Sequence, residues 1–229
     1  AQVAFAVMLI AGSSLPVTRA ADFFVTTNAE IQTALGSAVA GDTITMANGN
    51  WTNQNISFAT DGDPNNPITL RAETAGQVIL NGSSTLDISG DWLVVDGLRF
   101  EGGALSDGSN AIVEFRGSNG EATNSRFTNS AIIGYNPANI NDRYHWVEMF
   151  GTNNRVDNNR FENQNHSGVT VVVRRDDPGA DHHLIDRNHF VDRPVGNGNG
   201  WETIRVGTSA ESLSNSFTTV ENNLFERVD

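Results

Sequence analysis

Short apolar runs, broken every few positions by Asn, Gly, Ser or Asp, occupy nearly the whole sequence. Ile68-Thr69-Leu70-Arg71-Ala72, Val78-Ile79-Leu80, Trp92-Leu93-Val94-Val95, Ile112-Val113-Glu114-Phe115, His145-Trp146-Val147-Glu148-Met149-Phe150, Val169-Thr170-Val171-Val172-Val173 and Thr203-Ile204-Arg205-Val206 are runs of this kind. Their length and their enrichment in β-branched and aromatic residues predict strands. One stretch has helical spacing instead. Asn28-Ala29-Glu30-Ile31-Gln32-Thr33-Ala34-Leu35 places apolar residues at Ile31, Ala34 and Leu35, with Asn28 or Thr27 as N-cap.

A phrase recurs among the strands: an aliphatic or small residue, a polar pair often containing Asn, then a Phe. The copies end at Phe100, Phe127, Phe161, Phe190 and Phe225, which are 27, 34, 29 and 35 residues apart. A repeat of this length, made of strands and Asn/Gly turns, buries its apolar face only by stacking on its neighbours. The fold class expected is all-β: a right-handed single-stranded parallel β-helix with three strands per coil and a short N-terminal capping helix. Coils in such a stack rise by about 4.8 Å, the normal strand spacing. An antiparallel sandwich also has many short strands, but does not predict an in-phase Asn-x-Phe phrase. The repeated Phe and Asn are expected to be scaffold, the Phe stacked inside the coil and the Asn at the turns.

Composition adds compartment and charge. Ala4 to Ala11 is an apolar run too short to span a bilayer, followed by Gly12-Ser13-Ser14 and a cleavage-like Thr18-Arg19-Ala20. Residues 1–20 are therefore expected to be part of a signal peptide and 21–229 a single β-helix domain, secreted or periplasmic. The absence of cysteine agrees with a fold held by repetitive packing. A net charge of −13 excludes nonspecific nucleic-acid binding, and no later apolar run approaches membrane-spanning length. A polyanionic substrate needs a local Arg cluster or a bound cation. The 27 Asn and 22 Gly spread along the chain argue for many tight turns rather than one disordered segment.

Two segments carry candidate chemistry. Residues 193–209 break the repeat with alternating Gly and Asn followed by Glu202. Oxygen donors on an exposed loop suit a hard cation, and Asn199 and Glu202 are the candidate metal ligands, although the same spacing also describes a plain turn. One coil earlier, Arg174 and Arg175 are candidates for binding a carboxylate bidentately. Neighbours on a strand point to opposite faces, so one of the two is available, the alternative being local pairing with Asp176, Asp177 or Asp181. His189 occupies a scaffold slot, and adjacent His182 and His183 make a poor bidentate site. No Ser-His-Asp order, phosphate loop or zinc spacing is present.

The block 197–209, followed by Ser216-Phe217-Thr218-Thr219-Val220-Glu221-Asn222-Asn223-Leu224-Phe225-Glu226, closely resembles polysaccharide lyase family six, the alginate lyases and chondroitinase B. His183 to Phe190 and Gly41-Asp42-Thr43-Ile44 look like the same family. The resemblance implies a parallel β-helix that cleaves an anionic uronate polysaccharide, alginate above all, by Ca²⁺-assisted β-elimination. It implies further that Asn199 matches the family's Asn calcium ligand, with Glu202 a neighbour, and that Arg174 or Arg175 falls near a substrate-contacting Arg. In that family a Gly-Glu-x-Glu segment, the catalytic Lys and the catalytic Arg follow the phrase with which this chain stops. The expectation is therefore an N-terminal part of a lyase, inactive by itself, with no catalytic residue among those present. A non-catalytic carbohydrate-binding or adhesin-like β-helix is the rival. A pectate lyase or uronan epimerase fits the fold but not the 197–209 block.

Overall fold

The computed structural model describes residues 20–176, 179–194, 196, 198–208 and 215–228. The expected signal segment lies outside them except for Ala20, as do Asn197 and Ser209 of the family-like block. Among the described residues the strands form three long parallel sheets of eight, seven and six strands, and one two-stranded antiparallel ribbon at 116–121. The chain visits the three long sheets in turn, so each coil contributes one strand to each. In the fourth coil these are Arg126–Thr128, Ala131–Ile133 and His145–Met149. In the fifth they are Arg155–Asp157, Arg160–Glu162 and Val171–Val173. This is the parallel β-helix expected from the repeat.

Apolar residues point inward at matching positions of successive coils. Val95, Phe127, Val156, Ile185 and Val220 share one row of the eight-stranded sheet. Leu80, Phe100, Ile132, Phe161, Phe190 and Phe225 share one row of the seven-stranded sheet. Rings in that row stack, with centroids 5.2 Å apart for Phe161–Phe190 and 5.0 Å for Phe190–Phe225. The copy of the phrase ending at Phe127 is out of phase with the others. Phe127 pairs with Val95 and Val156, and Ile132 takes the Phe slot. The reason is visible in the chain: Thr123-Asn124-Ser125 and Thr128-Asn129-Ser130 are tandem copies of one turn, used at two successive corners.

Those corners hold the stack together. At one corner Asn129, Asn158 and Asn222 adopt positive φ of 49°, 54° and 56°, the left-handed region that Asn tolerates better than other side chains. The next residue in each copy sends its side chain to the coil before it. Asn188 Oδ1 accepts from the Asn159 backbone N–H at 3.1 Å, and its Nδ2 donates to the Val156 carbonyl at 2.8 Å. Asn159 does the same for Ser130 N (2.9 Å) and Phe127 O (3.0 Å), and Asn223 for Asn188 N and Ile185 O (2.9 and 2.8 Å). At the neighbouring corner Asn154 accepts from Ser125 N at 2.8 Å, and His183 Nδ1 accepts from Asn154 N at 3.1 Å. His183 is thus an imidazole in an asparagine slot.

The helix Asn28–Leu35 closes the open end, as its apolar spacing suggests. Thr27 is its N-cap, accepting from Glu30 N, while Glu30 accepts from Thr26 N at 2.6 Å. Asn28 and Gln32 donate to the Asn55 and Ser57 carbonyls of the outermost strand of the six-stranded sheet, 2.9 Å each. A bare parallel edge is thereby covered.

The ladder makes a direct prediction about stability. Asn188→Ala leaves a buried carbonyl and a buried N–H without partners, and is expected to cost about 2–4 kcal/mol. Asn158→Gly, at an exposed left-handed position, is expected to be within about 0.5 kcal/mol of the parent. Urea titrations of both variants check this, and equal losses would refute a ladder-specific role.

Candidate functional site

The outer face of the six-stranded sheet is covered over its middle strands. In the strands Ala111–Glu114, His145–Met149 and Val171–Val173 every residue is buried, both alternations included. The connections entering these strands rise over the sheet and bring Ser106, Ser109, Asn110, Arg143 and Tyr144 to one wall of a groove. Arg174, just beyond the end of the strand Val171–Val173, lines it from the other side. Two adjoining cavities of about 370 and 200 Å³ share Ser109 and Asn110.

Strand register lays one row of outward side chains along the floor. Ser57, Asp87, Glu114, Glu148, Val172 and Arg205 are successive partners across five strand pairs. Two of the carboxylates are matched by arginines. Arg174 donates through Nε and Nη2 to Glu148 Oε1 at 3.0 and 2.7 Å, and Arg116 donates through Nε to Glu114 Oε1 at 2.9 Å. The Arg116 guanidinium also lies 3.7 Å above the centre of the Phe150 ring. Burial raises the Glu148 carboxyl above its ordinary range, against the opposing pull of Arg174. Asp87 is pushed up to about 6, by burial first and then by the charge of Glu114.

At the other end of the row the charge reverses. Arg143, Arg174 and Arg205 all act on His145, which is held down at about 3 by burial and then by these cations. His145 Nδ1 accepts from Val169 N at 2.8 Å, so its proton sits on Nε2, 3.5 Å from Glu148 Oε1. Arg205 is held below its ordinary value by partial burial, and by repulsion from Arg174 and Arg143; its Nε has no hydrogen-bond partner among the described residues. Three guanidinium groups converge here in a chain of net charge −13. Of the three, Arg174 is paired with Glu148 and Arg205 lies 3.8 Å from Glu202.

The residues singled out from sequence are divided by the fold. Arg174 faces the groove. Arg175 turns the other way and is buried, with Nε donating to Asp181 Oδ2 at 3.0 Å, so its role is the local pairing that was the alternative to carboxylate binding. Asn199 is exposed on a turn, and Glu202 is half-buried, accepting from Gly200 N at 3.0 Å with Arg205 Nη1 at 3.8 Å. A calcium ion wants six to eight oxygens. Asn199 and an already engaged Glu202 fall short of that, and among the described residues no three His, Asp or Glu side chains come together to hold a metal. Among the described residues, Asn199 and Glu202 do not by themselves make a complete calcium site.

Sequence reasoning missed Asp87, Glu114, Arg143 and Glu148, and took Arg205 only as part of a motif. A signal existed. Val113-Glu114-Phe115 and Val147-Glu148-Met149 repeat a charged residue inside an apolar strand, where a carboxylate is out of place unless it is paired.

A family model described as Chondroitinase B matches residues 25–229. Among solved structures, the alginate lyase AlyGC of polysaccharide lyase family six is 39% identical, with a TM-score of 0.86 over 90% of this chain and 28% of its own. The family-six lyase Pedsa3628 from Pseudopedobacter saltans is 33% identical (TM-score 0.80; 90% of this chain, 47% of that one). A mannuronic-acid-specific family-six lyase from human gut microbiota is 30% identical (TM-score 0.81; 90% and 48%). The chain thus spans between about a quarter and a half of the solved lyases it resembles. No curated protein sequence matches it.

The buried imidazoles set an acid limit on the fold. His145 is held near 3, and His166 and His183 near 4, in each case by burial first. Unfolding frees them to take protons at the ordinary imidazole value of 6.5, so the stability they contribute is complete above 6.5 and is lost as pH falls towards 4. Urea midpoints followed downward from neutral pH should fall from about 6.5 onward. A midpoint that stays flat until the carboxylates titrate would contradict this.

Proposed function

The chain belongs to the chondroitinase B family of polysaccharide lyases, and from that premise we propose that its groove is the substrate wall of a lyase acting on an anionic uronate polysaccharide, alginate in the first instance. The observation carrying this reading is the convergence of Arg143, Arg174 and Arg205 at one end of the groove in an otherwise acidic chain. Planar guanidinium groups bind carboxylates in pairs of parallel hydrogen bonds and remain charged at any working pH. Serine and asparagine on the facing wall offer partners for sugar hydroxyls.

β-Elimination on a uronate breaks the C5–H and C4–O4 bonds, forms the C4=C5 double bond and returns a proton to the departing O4. Cations at the carboxylate make the C5 proton more acidic, and this is the contribution the arginine end is fitted to make. A base is also required. The sequence contains no lysine, all fourteen of its basic residues other than histidine being arginine. His145 has its lone pair on Nδ1 occupied and its Nε2 proton directed at Glu148. We therefore assign these residues recognition of the polymer and not its cleavage. Calcium assistance, where the full reaction uses it, draws on more oxygens than Asn199 and Glu202 provide.

Three measurements test the proposal. Incubation of this chain with alginate is expected to give no ultraviolet absorbance from unsaturated uronate ends, and their appearance would overturn the assignment. Arg143→Ala is expected to weaken binding of alginate oligosaccharides by about 1.5–3 kcal/mol with an unchanged unfolding midpoint. Unaltered affinity would move the substrate site elsewhere. Calorimetric titration with Ca²⁺ is expected to show only weak binding, and tight stoichiometric binding would contradict the donor count.

A further inference from the structure

The groove is not uniform along its length. Its arginine end, at Arg143, Arg174 and Arg205, continues through Ser109 and Asn110 into a second chamber whose charged floor groups are Asp87 and Glu114. The two carboxylates are strand partners in adjacent coils, one strand spacing apart. Glu114 is satisfied by Arg116. Asp87 is different: its half-buried carboxylate stands beside that of Glu114 and makes no side-chain hydrogen bond or ion pair to any described residue, with only the more distant charge of Arg116 opposing it. An unpaired carboxylate in that position costs stability, and a neutral residue would fill the space equally well.

We propose that the groove is partitioned by charge, and that Asp87, with Glu114 behind it, limits how far a polyuronate chain extends by repelling a carboxylate beyond the arginine end. The proposal rests on the reading of the arginine end as the uronate site, and it adds a specificity determinant to that site. A uronate polymer carries one carboxylate per sugar. A chain seated on the arginines therefore meets Asp87 as it lengthens towards the second chamber, whose Ser83, Thr85 and Asn55 suit hydroxyl groups rather than an anion. Short uronate oligomers are accepted without penalty, while longer ones meet like charge in a half-buried setting.

Calorimetry with alginate oligosaccharides of increasing length tests this, on the parent chain, Asp87→Asn and Arg143→Ala. In the parent, affinity is expected to stop rising with length once the arginine end is filled. In Asp87→Asn it is expected to keep rising, giving a roughly fivefold gain for the longest oligomers and none for the shortest. The parent should recover the same gain as pH falls through about 6, and the variant should show no such step. The groups facing Asp87 are Ser57 on one neighbouring strand, Glu114 on the other and Arg116 on the ribbon, so the step belongs to the Asp87–Glu114 pair. Asp87→Ser provides a second neutral variant with a different shape, and the gain must appear in both. If both variants follow the parent at every length while Arg143→Ala weakens binding, the partition is refuted and the uronate site stands. If Arg143→Ala changes nothing at any length, the site itself is refuted.

Discussion

The structure depends on a hydrogen bond that runs along the axis of the stack rather than within a strand. At each corner the chain must turn from one sheet into the next within about two residues, which strands backbone N–H and C=O groups in the interior where water cannot reach them. Side chains of Asn159, Asn188 and Asn223 solve this by accepting from one such N–H and donating to one such C=O of the preceding coil. A carboxamide suits the task because it carries a donor and an acceptor on one planar group. Ser130 and His183 occupy equivalent slots with fewer bonds, and His183 consequently retains an unpaired Nε2. Register between coils follows from this pairing, and every inward row of Phe, Val and Ile follows from register.

Once the coils are in register, any residue type recurring at one strand position becomes a row on a surface. On the outside of the six-stranded sheet this produces Asp87, Glu114 and Glu148 side by side. Isolated carboxylates stacked at one strand spacing would repel, and the chain answers with arginines from the strand ends and flanking connections. Arg174 and Arg116 neutralise two of the three, and the third is left above its ordinary range. The groove's polarity is thus a consequence of periodic stacking, with irregular connections supplying the opposite charge.

Much of the fold was legible from residue pattern alone. The Asn/Gly turns, the period and the capping helix each have a local cause, and local causes leave local signatures. The one misplaced copy, at Phe127, arose because Thr-Asn-Ser serves two consecutive corners, and only strand pairing shows which corner each copy occupies. The site was far less legible. Arg174 and Arg175 are neighbours in sequence, yet one lines the groove and the other is locked to Asp181. Nothing in the dipeptide distinguishes them, because the difference lies in which face of the coil each side chain leaves.

The sequence by itself determined that this chain stacks short coils, where it turns, and which family it resembles, since backbone conformation at a turn and strand periodicity depend on neighbours a few residues apart. The tertiary structure alone decided that Arg143, Arg174 and Arg205 come near His145, and that the Asp87 carboxylate has no side-chain partner among the described residues at the other end. Arg143 and Arg205 lie in different coils and are separated by 62 positions. Their proximity is set by the rise of the stack and the path of each connection, quantities that sum over many residues and that no short segment encodes.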